Sequence, residues 1–260
     1  MSFLKIPEPK MPTPEQHRQA SLAWLQNVGP TLIDQWPEGL AALSMPTTLV
    51  RVPDGLVKEF YSLHDGAKPG PLMTALAAEL DEAMGWDRKF IRLNSRSPKD
   101  WPWPFEAPIT CSGKEALTIL ASSMRVLDDL LEFNYVPEQP AYICLREHVH
   151  IEKSREYRCF VKDRRLIAVT RYDYQNPVQP FDDGGEAVRA RIDAWFEEKL
   201  LPVLHMDTVV FDVFDRGRDY LLIEINPYGL SDPCFFGNYQ NVESAKTPVQ
   251  CEFADRQEHP

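Results

Sequence analysis

Phe211-Asp212-Val213-Phe214, followed after a short polar turn by Leu222-Ile223-Glu224-Ile225-Asn226-Pro227, decides how the chain is read. Both segments are apolar runs that carry acidic or amide oxygens. On a β-strand, residues two apart share a face. Glu224 and Asn226 therefore project together, with Ile223 and Ile225 turned the other way into packing. A hairpin closed at Asp215-Arg216-Gly217-Arg218 brings Asp212 across to join them. Three hard oxygen side chains on one sheet face suit Mg²⁺ carrying a nucleotide phosphate. A turn-starting Asp212 and a solvated Glu224 are the plain alternative. The flanks weigh against it, since Val209-Val210-Phe211 and Tyr220-Leu221-Leu222-Ile223 are strongly apolar. Ionised groups in that setting need a partner to offset desolvation, and either a metal ion or an Arg or Lys side chain would serve.

Two basic segments lie upstream. In Lys89-Phe90-Ile91-Arg92-Leu93-Asn94, strand spacing puts Arg92 and Asn94 on one face and Ile91 and Leu93 on the other. Arg92 offers a phosphate a fork of fixed donors. Ser95, Ser97 and the backbone after them add hydroxyl and N–H groups. In Glu156-Tyr157-Arg158-Cys159, Glu156 and Arg158 alternate with Tyr157 and Cys159. Arg158 on a phosphate is one reading of that pattern; a cross-strand salt-bridge face is the other. His148 and His150 share a strand face without an evident third ligand.

Composition narrows the class. The chain has 260 residues, 43% hydrophobic and 26% charged, as expected for a soluble globular protein. No apolar run reaches the length of a membrane span, and the N-terminus lacks a signal peptide's apolar core. Five cysteines without CxxC spacing argue against a disulfide framework and a zinc site, so a reducing cytoplasm is expected. A net charge of −11 makes nucleic acid an unfavoured partner. The glycine-rich phosphate loops and the common hydrolase motifs are absent.

The element order reads as α+β rather than regular βαβα alternation. Residues 1–13 read as an extended Pro-rich arm. Helical patterns follow around Ala20–Trp24–Val28 and Leu32–Trp36–Leu40, and residues 56–64 are ambiguous. Pro71 to Met84 is a helix by its Met73, Leu76, Ala77, Leu80 stripe. A strand at Lys89–Asn94 precedes a helix from about Gly113 to Glu132, opened by a capping box of Ser112 and Glu115. Strands are expected at 141–146, 156–161 and 166–172, a helix at 184–200, and a closing strand pair at 208–214 and 219–225. The last fifteen or so residues are polar.

Five segments, KFIRLNSRSPKD (89–100), CLREH (144–148), SREYRCFVKDRRLIAVTRYDY (154–174), VVFDVF (209–214) and LLIEINPYGLSDPCFF (221–236), together resemble the cell division cycle protein 123 family. That family is a divergent branch of the ATP-grasp superfamily, and the resemblance covers roughly residues 89–236. It implies an ATP-grasp fold, with a nucleotide between a small lid and a larger, mainly antiparallel sheet. Residues 1–87 would form a mostly helical region, 88–148 the lid and hinge, and 149–260 the larger part with the metal site. Arg92 stands where the family has a basic residue expected at phosphate. Arg146, Glu147 and His148 fall on the hinge that meets adenine, with His148 where Trp is common. Glu156 and Arg158 match positions lining the nucleotide, and Asp212, Glu224 and Asn226 match the Mg²⁺ ligands, Glu224 replacing an Asp often found there. The family's Q-R-D-Y run aligns on Asp173-Tyr174. That retains Asp173 and turns Arg171 to the opposite strand face. Lys99 and Lys114 are left open as nucleotide contacts.

The resemblance implies ATP and Mg²⁺ as cofactors and a cytoplasmic assembly factor for a protein client, which in eukaryotic members is translation initiation factor 2. The alternative is an ATP-dependent ligase or kinase with a small second substrate. The unmatched first 85 or so residues, with Trp24, Trp36, Phe60 and Tyr61, would supply a different substrate or partner surface.

Overall fold

The computed structural model describes residues 12–64, 66–101, 107–175, 181, 185–246 and 249. Most of the Pro-rich arm, nearly all of the polar C-terminus and Cys251 lie outside the described residues.

Helix α1 (Pro14–Val28) begins at Thr13, whose hydroxyl accepts from the Gln16 N–H while the Gln16 side chain accepts from the Thr13 N–H. That reciprocal pair satisfies two otherwise orphaned donors. The second helical pattern is not one helix. Pro30 and Pro37 break it into two 3₁₀ turns and the one-turn α2 (Glu38–Ala41). Strand β1 (Thr47–Arg51) follows, then α3 (Leu56–His64), α4 (Pro71–Met84), β2 (Lys89–Leu93) and the short β3 (Ile109–Thr110). The helix expected to run from Gly113 to Glu132 is two: α5 (Gly113–Ala121) and α6 (Met124–Tyr135). They divide at Ser122–Ser123, where the Ser123 hydroxyl accepts from Val126 N–H and starts a new helix. Only half of the expected box at Ser112 forms. Ser112 Oγ accepts from Glu115 N–H, but the Glu115 carboxylate takes the Thr110 hydroxyl instead of reaching back.

Strands β4 (Tyr142–Glu147), β5 (Glu156–Lys162) and β6 (Arg165–Arg171) precede α7 (Glu186–Trp195), which continues into a π turn at Phe196–Leu200. Strands β7 (Val209–Asp215) and β8 (Tyr220–Asn226) form the hairpin, and α8 (Tyr239–Glu243) comes last.

The strands make two four-stranded sheets, in the orders β1-β4-β2-β3 and β6-β5-β7-β8, with every pairing antiparallel. The α+β architecture expected from the sequence is present. The first sheet packs one face on α1, α3, α4, α5 and α6 in a core that includes Leu32, Phe60, Leu80, Ile91, Leu93, Leu127 and Ile143. Burying each such side chain contributes about 1.5–3 kcal/mol. Strand β1 reaches this sheet from the N-terminal region, so the divide placed at 87/88 runs through a single core. Phe60 is fully buried and Trp36 nearly so, which removes both from the surface they were expected to form. No helix among the described residues is long and apolar enough to cross a membrane.

In the second sheet, Val209, Phe211 and Val213 pack against Ile192, Trp195, Phe196 and Leu200. The opposite face of β7 is divided. Val210 joins an apolar cluster with Phe160 and Phe236, Phe214 joins another with Met45 and Leu221, and Asp212 sits between them. The fully buried strand explains the near-continuous apolar run, and it places one carboxylate in a dry position between two apolar plugs.

Candidate functional site

The strand registers assemble a row. Arg158 on β5 is the cross-strand partner of Asp212 on β7, and Asp212 is the partner of Glu224 on β8. A bulge follows, because Val213 pairs with Leu222 and Ile223 is the extra residue. The bulge changes the parity of β8. Leu222 and Ile225 both face the α7 core, while Ile223 packs with Met45 and Phe214 on the site side. Ile223 was expected to turn away with Ile225; the inserted residue reverses it. The carbonyl of Ile223 accepts from Arg146 Nη1 at 2.7 Å.

Arg158 holds Asp212 through both guanidinium ends, Nε–Oδ1 and Nη2–Oδ2 each at 2.8 Å. Its third nitrogen donates to the Asp232 carbonyl at 2.9 Å. Asn226 Nδ2 donates to Asp212 Oδ2 at 3.3 Å. Glu224 accepts from Arg92 Nη1 at 2.8 Å, with Lys99 Nζ at 3.5 Å and Arg158 Nη2 at 3.9 Å. Arg92 comes from the first sheet, so this ion pair closes the cleft between the sheets. Its remaining nitrogens donate to the carbonyls of Leu93 and Ser95 and shape the loop that carries Lys99. Lys99 donates to the Tyr172 hydroxyl, and the cations of Lys99 and Arg158 stand 4.8 and 4.9 Å from the Tyr172 ring centroid.

Three cations thus bind two carboxylates, and all of these side chains but Lys99 are buried. Burial works against the Glu224 charge, but Lys99, Arg92 and Arg158 outweigh it and hold the carboxyl well below its ordinary pKa. Desolvation also works against the Lys99 ammonium, and Glu224 and Tyr172 reverse the effect and raise it. Glu156 differs. Burial and the neighbouring Asp212 charge push its carboxyl up to about 8, against the pull of Lys99.

Two compartments meet at this charged wall. The first, about 310 Å³, is lined by Met45, Phe90, Val149, Ile151 and Ile223, with Glu147 and His148 exposed at its rim and Glu156 in its wall. The second, about 500 Å³, lies beyond Arg158, Glu224 and Asn226. Ser97, Lys99, Tyr172 and Glu224 line both.

The sequence-derived residues separate accordingly. Arg92, Arg158, Asp212, Glu224 and Asn226 come together, and Glu156 lies beside them. Arg146 is buried in the lining of the smaller compartment, where it donates to Ser44 Oγ and the Ile223 carbonyl and braces the bulge. Asn94 is buried elsewhere, donating to Asp34 at 2.6 Å and accepting from the Tyr142 N–H. Asp173 lines an adjacent recess, 3.7 Å from Lys153. Arg171 faces away from the site, stacked 4.1 Å from the Phe181 ring centroid. Sequence reasoning passed over Tyr172 and left Lys99 open. The signal for both was present, since each sits in a segment already singled out.

A family model described as D123 matches residues 69–258. The chain belongs to the D123 family. Among curated D123 relatives, the translation initiation factor eIF2 assembly protein of Aspergillus oryzae is 29% identical over 180 residues, covering 63% of this chain and 43% of that protein. Its Candida albicans namesake is 30% identical over 162 residues, covering 56% and 47%. The match spans less than half the length of those relatives. Among solved structures, C-terminally truncated Cdc123 from Schizosaccharomyces pombe has the same fold, with a TM-score of 0.70 at 22% identity over 87% of this chain and 97% of that one.

The D123 match contains the whole charged wall, from Arg92 to Asn226, and extends upstream of the resemblance to include α4. It leaves out β1, α1, Ser44 and Met45; of these, α1 lines the larger compartment through Trp24 and Val28, Met45 lines the smaller, and Ser44 accepts from Arg146. Among the described residues, no group of three or more His, Cys, Asp or Glu side chains forms a metal cluster. The donors available are two carboxylates and an amide. That set fits Mg²⁺, which takes one or two carboxylates and completes its shell with phosphate oxygens and water.

Proposed function

We propose that the protein binds ATP with Mg²⁺ in the cleft between its sheets and acts as a nucleotide-dependent assembly factor for a protein client. The observation that carries the nucleotide reading is the Arg92–Glu224, Lys99–Glu224 and Arg158–Asp212 pairing. Cations suited to phosphate and carboxylates suited to a metal neutralise one another across the wall. A nucleotide phosphate would draw Arg92, Lys99 and Arg158 to its oxygens. Asp212, Glu224 and Asn226 would then hold Mg²⁺, which supplies positive charge between the phosphate oxygens. The more apolar 310 Å³ compartment suits the base, with Glu147 and His148 at its edge.

The client reading rests on family membership and on relatives named as assembly proteins of translation initiation factor eIF2. A client of that kind is expected to bind more tightly with ATP and Mg²⁺ than without. The second reading is an ATP-dependent ligase or kinase, favoured by the larger compartment that opens from the same wall.

Thermal unfolding tests the nucleotide. A ligand at a hundredfold excess over its Kd stabilises by about 2.7 kcal/mol. Millimolar ATP should therefore raise Tm in the presence of Mg²⁺, and Asp212→Asn and Glu224→Gln should each remove most of the Mg²⁺-dependent part. No rise in the parent protein would overturn the proposal. ADP release that depends on a small second substrate would favour the enzyme over the assembly factor.

A further inference from the structure

Tyr172 stands where the smaller compartment, the larger one and the recess of Asp173 meet, and it lines all of them. Its N–H donates to the Glu156 carbonyl at 2.9 Å, which carries the β5–β6 register one residue past Arg171. Strand parity then puts Tyr172 on the face of Glu156 and Arg158, while Arg171 shares the face of its partner Tyr157. The family's Q-R-D-Y run, aligned on Asp173-Tyr174, has its arginine at this place, so the aromatic ring is a feature of this chain.

The ring meets two cations. Lys99 Nζ lies 4.8 Å from its centroid, and the Arg158 guanidinium carbon lies 4.9 Å from it. Arg158 is fixed independently, by both oxygens of Asp212 and by the Asp232 carbonyl. Lys99 is not. Its side chain is 42% exposed, so packing does not hold the flexible four-carbon stem in place. Glu224 at 3.5 Å is a loose partner, and the Tyr172 hydroxyl accepts directly from the ammonium. The electron-rich ring face also offsets part of the repulsion between the two cations. Lys99 comes from the loop that leaves the first sheet and Tyr172 from the end of β6, so this contact spans the cleft as Arg92–Glu224 does.

We propose that Tyr172 is a positioning residue that holds the Lys99 ammonium beside Arg158, so that both cations meet one phosphate. The hydroxyl acts through Lys99 alone, and the ring acts through both cations. The phosphate in this proposal rests on the nucleotide reading above; the arrangement of Lys99, Tyr172 and Arg158 does not.

The test is calorimetric titration of the full chain with ATP and Mg²⁺, and with adenosine, which carries no phosphate. In Tyr172→Leu, ATP affinity should fall about tenfold or more while adenosine affinity stays at the parent value. Tyr172→Phe keeps the ring and should recover part of the loss. In a Lys99→Met background, adding Tyr172→Phe should change nothing further, whereas adding Tyr172→Leu should still cost affinity through Arg158. Chemical denaturation of each variant reports that it folds. Parent ATP affinity in Tyr172→Leu, an equal loss for ATP and adenosine, or a Tyr172→Phe effect that survives Lys99→Met would overturn the proposal. A parent protein that binds no ATP would overturn the nucleotide reading instead. Denaturation of the Tyr172→Phe and Lys99→Met pair without nucleotide then decides the arrangement, and strict additivity would overturn that as well.

Discussion

Arg92 of the first sheet donates to Glu224 of the second at 2.8 Å, and both side chains are buried. The same guanidinium holds the carbonyls of Leu93 and Ser95. Arg92 therefore joins the sheets and shapes the loop that brings Lys99 to Glu224. Arg92→Lys keeps the charge but loses the fork geometry. Under the nucleotide reading, Arg92→Ala should weaken ATP binding about tenfold or more, and Arg92→Lys should recover only part of it. Titration of both variants with ATP and Mg²⁺ checks this; parent affinity in Arg92→Ala would assign the residue a structural role alone.

Arg158 and Asp212 form the most buried ion pair of the wall. Removing one partner leaves an uncompensated charge, at a cost of about 3–5 kcal/mol. Arg158→Met and Asp212→Asn should each lower stability, the first by that amount. The double variant should lose less than the sum of the two. Chemical denaturation of all four proteins gives the coupling, and strict additivity would show that the pair is not a unit.

Glu156 makes stability depend on pH in an unusual direction. In the folded protein its carboxyl is pushed up to about 8 by burial and by Asp212, from an ordinary value near 4.5. The native state therefore holds this proton while the unfolded state has lost it. The contribution is fully present below about pH 4.5 and is lost as pH rises through about 8. Glu156→Gln should flatten the decline of stability across that window. Denaturation midpoints of the two proteins at either end of the window compare the slopes, and parallel slopes would remove Glu156 as the source.

Gly113 lets α5 approach α4. A Cβ at this position would lie 2.0 Å from the Ala77 carbonyl oxygen, and the Gly113 N–H donates to Asp81 at 2.6 Å. The obstacle is backbone, which cannot swing aside. Gly113→Ala should cost at least about 1–3 kcal/mol, the usual range for overpacking. A Tm equal to that of the parent protein would mean that the helices separate at no cost.

Much of the second sheet was legible because β7 and β8 are dense apolar runs interrupted by oxygens, and the polar turn between them closes where Arg216 N–H meets the Asp219 carbonyl. The hairpin therefore brought Asp212 opposite Glu224 as expected. Strand β1 was not legible. Thr47–Arg51 is mostly exposed, with Leu49 facing out at 38%, so it carries no alternation to detect. It becomes a strand because β4 offers it an unpaired edge. The split between α5 and α6 was equally hidden, because a serine that caps a new helix looks in sequence like one inside a long helix.

The site divides along the same line. Residue types and two-residue spacing in the sequence determined that oxygens and guanidinium groups would gather on the faces of apolar strands, since ionised groups there need partners. Spacing along one strand says nothing about a partner 54 positions or a sheet away. Tertiary structure decided that Arg158 falls opposite Asp212, that Arg92 crosses the cleft to Glu224, and that Asn94 spends its amide on Asp34 instead. It also inserted the one-residue bulge at Ile223 that sets the parity of β8. Register and sheet-to-sheet docking come from the packing of two whole cores, a property that local pattern does not carry.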